Sequence, residues 1–96
     1  MRIHLVIGAI VVLFSLFLGV SRRDFAILLI MISLVLVSEL LNTSIEILLD
    51  IVIPKDNKDV KYVKDIQAGA VLIFSIFSVI VGILILFPYV QRFLNK

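Results

Sequence analysis

"FAILLIMISLVLVSELLNTSIEILLD" occupies Phe25 to Asp50. Its first 14 residues, Phe25–Ser38, carry no acid, lysine or arginine, and its remainder holds Glu39, Asn42, Glu46 and Asp50. A membrane-crossing helix needs about 20 mostly apolar residues. The segment therefore spans only if one helix runs on through its own acids. Read that way, it is a lipid-compatible helix with polar side chains placed along it, and the rest of the chain has to account for them.

The composition supports the membrane reading. The chain has 96 residues, 62% of them hydrophobic, and a mean hydropathy of +1.27. Soluble domains are about 45–50% apolar, and a chain this short cannot hide the surplus in a core. Two further charge-free runs flank the quoted one: Ile3–Ser21, 19 residues, and Ile66–Gln91, 26 residues. An all-α membrane protein with three transmembrane helices follows, near residues 3–20, 25–53 and 66–87, in one domain covering residues 1–96. The first run resembles a secretory signal in that Arg2 precedes it, but it is long for an h-region and "FLGVS" lacks a small-x-small cleavage pattern.

"GVSRRD", Gly19–Asp24, is a tight connection that makes the first two helices antiparallel. Pro54 stops the second helix, since it lacks an N–H and clashes in a helix interior. The stretch 54–65, rich in lysine and aspartate, reads as a polar loop, and Pro88 weakens the end of the third helix. Arg2 with Lys55, Lys58, Lys61 and Lys64 lies on one side of the membrane, against Arg22, Arg23, Arg92 and Lys96 on the other. The excess of basic residues favours a cytoplasmic N-terminus and a cytoplasmic 54–65 loop.

Other chemistries are excluded. The chain has no cysteine, so it offers no disulfide, thiolate nucleophile or Cys-based metal site. A net charge of +2 without a basic, aromatic-interleaved patch does not point to nucleic acid. No Walker-type or kinase-type glycine loop is present. His4, the sole histidine, reads as an interfacial residue with no partner near it in sequence, and Tyr62 and Tyr89 read as interface anchors.

The acids form a stripe. At ~100° per residue, with Glu39 at zero, Asn42 falls near −60°, Glu46 near −20° and Asp50 near +20°. All four share one helix face. Fourteen charge-free residues at ~1.5 Å each put Glu39 about 21 Å along, near the far edge of a hydrocarbon core about 30 Å thick. Glu46 and Asp50 then reach the headgroups. An acid inside a spanning helix is costly and is a functional candidate by default. "KDIQAGAVL", Lys64–Leu72, opens the third helix at the same membrane edge. An antiparallel pair brings Lys64 and Asp65 towards the stripe, and the small Ala68, Gly69 and Ala70 permit close helix approach. Carboxylates of this kind can hold Mg²⁺ beside substrate phosphates, and a lysine can neutralise a transferring phosphoryl group.

At these residues the chain resembles the prokaryotic diacylglycerol kinase family of small integral-membrane lipid kinases. The resemblance rests on "SELLNTSIE", the acid at position 50 and the Lys64–Asp65 pair eighteen residues after Glu46. The Ala-Gly-Ala-Val-Leu run resembles the undecaprenol kinase branch more than the enterobacterial one. The resemblance implies a homotrimer in the bacterial inner membrane, with sites between subunits at the cytoplasmic face. It implies transfer of the γ-phosphoryl of ATP to the hydroxyl of undecaprenol or diacylglycerol with Mg²⁺. By motif position, Glu39 is the general base, Glu46 binds the metal and Asn42 orients substrate or metal ligands. Lys64 contacts the ATP phosphates, Asp65 binds nucleotide, and Asp50 matches a family acid in a supporting role. Family members also carry an amphipathic helix before the first spanning helix. "MRIHL" resembles the tail of that segment, so the helix, a second metal-binding glutamate and part of the nucleotide site are expected to be absent here. Two other classes remain open: a structural, catalytically impaired relative, and a small proton or cation pathway built on Glu39. The pathway expects an acid near mid-membrane and has no use for Lys64 and Asp65.

Overall fold

The computed structural model describes residues 2–54 and 57–95, which form three helices: α1 (Arg2–Leu18), α2 (Arg22–Val52) and α3 (Lys58–Leu94). No strand occurs among the described residues. Met1 of the "MRIHL" start, and Lys55 and Lys96 of the charge balance, lie outside them.

The α1–α2 turn is built from local backbone chemistry. Gly19 has φ +69°, a left-handed conformation that disfavours residues with a Cβ. Its N–H donates to the Leu16 carbonyl at 3.2 Å, and the Val20 N–H donates to the Ser15 carbonyl at 3.3 Å. This pair of bonds is the Schellman motif, which satisfies the last carbonyls of α1. Ser21 then caps α2 by accepting from the Asp24 N–H at 3.1 Å. In a capping box the residue three positions on would return a bond to the cap N–H. Here Tyr89 of α3 is inserted instead. The Ser21 N–H donates to Tyr89 Oη at 3.1 Å, and the Tyr89 hydroxyl donates to Asp24 Oδ2 at 2.5 Å. Three residues close a ring of hydrogen bonds.

Two polar ties fix α2 against α3. At one end is the Tyr89–Asp24 bond, and at the other Lys64 Nζ meets Asp50 Oδ1 at 2.7 Å. Asp24 and Asp50 are 26 residues apart, about 39 Å of helix at ~1.5 Å per residue, against about 30 Å of hydrocarbon. The ties are far enough apart to bracket a bilayer core, and the charge-free part of α2 between them, Phe25–Ser38, ends where the acidic stripe begins. Packing between α1 and α2 is tight at Gly8, where an added Cβ would stand 3.0 Å from Ile32 Cγ2. Serine hydroxyls in this layer bond back to their own helices: Ser15 to Val11, Ser33 to Leu29, Ser38 to Val35 and Ser75 to Val71.

Little apolar surface is buried. Leu28, Val35 and Val60 are the buried hydrophobic side chains among the described residues, while residues such as Ile3, Phe17 and Leu84 are more than 60% exposed. Surfaces of that kind need lipid or another chain against them. α2, with 31 residues, and α3, with 37, are long and apolar enough to cross a membrane. α1 has 17 residues, at the short end of spanning lengths, so the structure supports two of the three expected spans by length.

The sequence boundaries need correction at α3. The helix begins at Lys58, not residue 66, so most of the expected 54–65 loop is its first two turns. The cause is Asn57, whose side chain accepts from the N–H groups of Asp59 at 2.8 Å and Val60 at 3.3 Å, with Asp59 favourably placed in the first turn. α3 also runs through Pro88 to Leu94. Proline costs one backbone bond there, but tertiary contacts hold the segment beyond it. Tyr89 is tied to Ser21 and Asp24, and Phe93 packs edge-on against Phe17 at 5.4 Å. Pro54 does stop α2, whose cap residue Ile53 donates to the Leu49 carbonyl.

Removing the phenol should open the ring of bonds. Tyr89→Phe should destabilise the protein by about 1.5–3 kcal/mol, the range for a hydrogen bond to a charged group, read as a lowered Tm in detergent micelles. Tyr62→Phe, at an exposed ring, should leave Tm unchanged. An unaltered Tm for Tyr89→Phe would mean that water replaces the phenol.

Candidate functional site

The stripe predicted on α2 exists, and it links all three helices. Glu39 Oε1 is hydrogen-bonded to Nδ1 of His4 on α1. One turn further along α2, Asn42 Nδ2 donates to Glu46 Oε1 at 3.4 Å. Asp50, one turn beyond Glu46, holds Lys64 of α3. The four polar residues are thus engaged in order from α1 to α3, as a single helix face requires.

Burial falls along the stripe. Glu39 is 16% exposed, and Asp50 is 48% exposed. The Lys64–Asp50 pair is open to solvent, and exposed pairs contribute only about 0–1 kcal/mol. A stronger anion could take Lys64 from Asp50 at little cost. Asp65 is exposed on α3, and among the described residues it is joined to none of the stripe. Of the six candidates, the structure pairs Asn42 with Glu46 and Asp50 with Lys64, sets Glu39 against His4, and leaves Asp65 apart from these pairs.

One buried acceptor on the stripe stands apart. Asn42 Oδ1 is buried and accepts no hydrogen bond among the described residues. Buried acceptors are satisfied in native structures, so this oxygen suits a cation or a donor that arrives with substrate. No group of three acidic or histidine side chains converges among the described residues. Mg²⁺ is commonly held by one or two carboxylates completed by substrate phosphates. Glu46 and Asn42, adjacent and oxygen-bearing, fit that donor set.

His4 is the residue that sequence reasoning missed. It was read as an interfacial histidine without a partner, but its partner lies 35 positions away on α2. A signal was present. In a hairpin closed at Gly19–Ser21, residues roughly equidistant from the turn lie level, and His4 and Glu39 satisfy that. Below the pair, an apolar cleft of about 460 Å³ opens between the three helices, with His4, Gly8, Leu28, Val35, Gly82 and Phe87 on its walls. Clefts of this size accommodate small-molecule ligands or parts of larger ones.

Comparison with known proteins places this geometry. The prokaryotic diacylglycerol kinase family model matches residues 1–86, which include every residue of the stripe. The chain is 46% identical over 50 residues to an undecaprenol kinase of Bacillus subtilis, covering 52% of this chain and 41% of that protein. It is 36% identical over 88 residues to a diacylglycerol kinase of Synechocystis sp., covering 91% of this chain and 50% of that one. The chain thus spans about half the length of the curated relatives it matches, or somewhat less. No solved structure matches it. Because the family match covers 86 of the 96 residues and takes in the whole stripe, the chain belongs to the prokaryotic diacylglycerol kinase family.

Proposed function

We propose that this chain is a membrane lipid kinase, which transfers the γ-phosphoryl group of ATP to the hydroxyl of undecaprenol or diacylglycerol with Mg²⁺. The observation that carries the reading is the ordered stripe. It runs from a part-buried carboxylate, beside an apolar cleft, to the half-exposed Lys64 with its exposed partner Asp50 at the end of the same helix pair. That gradient suits a reaction between a lipid acceptor and a water-soluble donor.

Each residue has a step. Glu39 accepts the proton of the lipid hydroxyl as its oxygen attacks the γ-phosphorus; the lipid phosphate forms and ADP leaves. A positioned base of this kind is worth about 10²–10⁴-fold in rate. Asn42 and Glu46 would hold Mg²⁺, which when bound neutralises phosphate charge. Lys64 leaves Asp50 for the triphosphate, and Asp50 keeps the lysine extended towards the site until then. Asp65, exposed next to Lys64, binds the nucleotide. The bare apolar faces fit burial in the bacterial inner membrane and packing into a homotrimer, with the stripe at the cytoplasmic face.

Activity is tested by radiolabelled phosphate transfer from ATP in mixed micelles carrying undecaprenol or diacylglycerol, with and without Mg²⁺. The 96-residue chain should be assayed beside a form extended upstream by an amphipathic helix of the family type. Mg²⁺-dependent labelling of one lipid is the expected result, and it identifies the acceptor. No labelling of either lipid by either form would overturn the proposal.

Two substitutions separate the roles. Glu39→Gln should lower kcat by about 10²–10⁴-fold with helix content by circular dichroism unchanged, and full turnover would remove Glu39 as the base. Glu46→Gln should raise the Mg²⁺ concentration for half-maximal rate about 10-fold or more; an unshifted Mg²⁺ dependence would assign the metal elsewhere.

A further inference from the structure

The contact between His4 and Glu39 joins the first turn of α1 to the inner end of the stripe. An ionised carboxylate only accepts hydrogen bonds, so the proton between them belongs to Nδ1. In the neutral form of an imidazole held this way the lone pair lies on Nε2, so the bond to Glu39 selects the tautomer. Both side chains are largely covered, at 29% exposed for His4 and 16% for Glu39. The level at which they meet is set by packing. Gly8 lies one turn along α1 from His4, and Ile32 lies two turns along α2 from Glu39. The close approach of Gly8 to Ile32 holds the two helices at the spacing a short side-chain bridge needs. His4 also lines the apolar cleft between the helices, which Glu39 itself does not.

We infer that His4 is a positioning residue for Glu39. Its Nδ1–H holds the glutamate carboxylate in one orientation at the mouth of the apolar cleft, so that the acceptor hydroxyl meets an already oriented base. The inference rests on the kinase reading above for the consequence, and on the structure alone for the pairing. A free glutamate side chain has three rotatable bonds, and orienting it costs side-chain entropy at each turnover. A bridge from a second helix removes that cost before the substrate arrives. The same arrangement, a second group orienting the one that reacts, tunes metal-site ligands, where its loss costs about 10–100-fold.

The test uses two substitutions and one spectroscopic readout. In Asn, the amide Nδ2 falls near the position of imidazole Nδ1 and donates the same bond, but the side chain has no titrating nitrogen. His4→Ala should lower kcat by about 10–100-fold with KM for ATP unchanged, and His4→Asn should restore turnover to within about threefold of the parent. Wild-type kcat in His4→Ala would overturn the inference. So would His4→Asn being as impaired as His4→Ala, because the imidazole would then be needed as a proton carrier and not as a donor to Glu39. Since His4 is the sole histidine, ¹⁵N-histidine labelling in micelles reports its ring nitrogens alone. The wild-type protein should show the Nδ1–H form, and Glu39→Gln should shift it towards the Nε2–H form. An Nε2–H form unaffected by Glu39→Gln would overturn the pairing. This readout needs no turnover, so a protein that transfers no phosphate would sink the kinase reading and still leave the His4–Glu39 bridge decided.

Discussion

The register of α2 against α3 is the constraint on which the rest of the structure depends. It is pinned at the Asp24–Tyr89 ring and aligned at the far end by the weaker Asp50–Lys64 pair, with apolar residues and self-satisfied serines along α2 from Phe25 to Ser38. Apolar packing in lipid has little hydrophobic drive and slides easily, because lipid tails are as apolar as leucine. Directional bonds at both ends set the alignment that packing alone leaves loose. Once α2 is fixed, the stripe has a definite inner end and a definite outer end. Gly8 then lets α1 close against α2 at the level where His4 reaches Glu39.

The sequence revealed what depends on composition and on helical period. The charge-free runs located the helices, and ~100° per residue placed Glu39, Asn42, Glu46 and Asp50 on one face, where the structure has them. What it hid depends on contacts across the fold. The charges at 58–65 concealed a helix because the decisive residue is the cap Asn57, and a lysine-rich first turn reads as loop without it. Pro88 was taken to weaken the helix end because proline destabilises helices locally. Tyr89 and Phe93 outweigh that cost through contacts with Asp24 and Phe17, 65 and more positions away in sequence. His4 was set aside for the same reason, as nothing adjacent in the chain announces Glu39.

The two ion-bearing ends of the α2–α3 pair differ in kind, and the difference matters for function. At the Tyr89 end the bonds close a ring with a backbone N–H and a helix cap, so breaking one exposes others. At the Lys64 end a single exposed pair holds two flexible side chains. The first end is built to stay shut. The second can exchange partners at almost no cost, as the proposed kinase reading asks of Lys64.

The stripe also answers a geometric problem set by the membrane. On the lipid kinase reading proposed above, a lipid hydroxyl lies at the edge of the hydrocarbon, a triphosphate stays in water, and the site has to hold both. Glu39 and Asp50 are 11 residues apart, about 16 Å along a single helix at ~1.5 Å per residue. A rigid helix crossing the boundary at a shallow depth can carry the groups for both reactants on one face, without a loop to fold over them. On that reading, the acids interrupt an otherwise lipid-compatible helix where the two reactants meet. Moved a turn or two inward, Glu39 would face the full cost of a charge in hydrocarbon. Moved outward, it would lose the covering side chains of α1 and the cleft from which an apolar chain presents its hydroxyl.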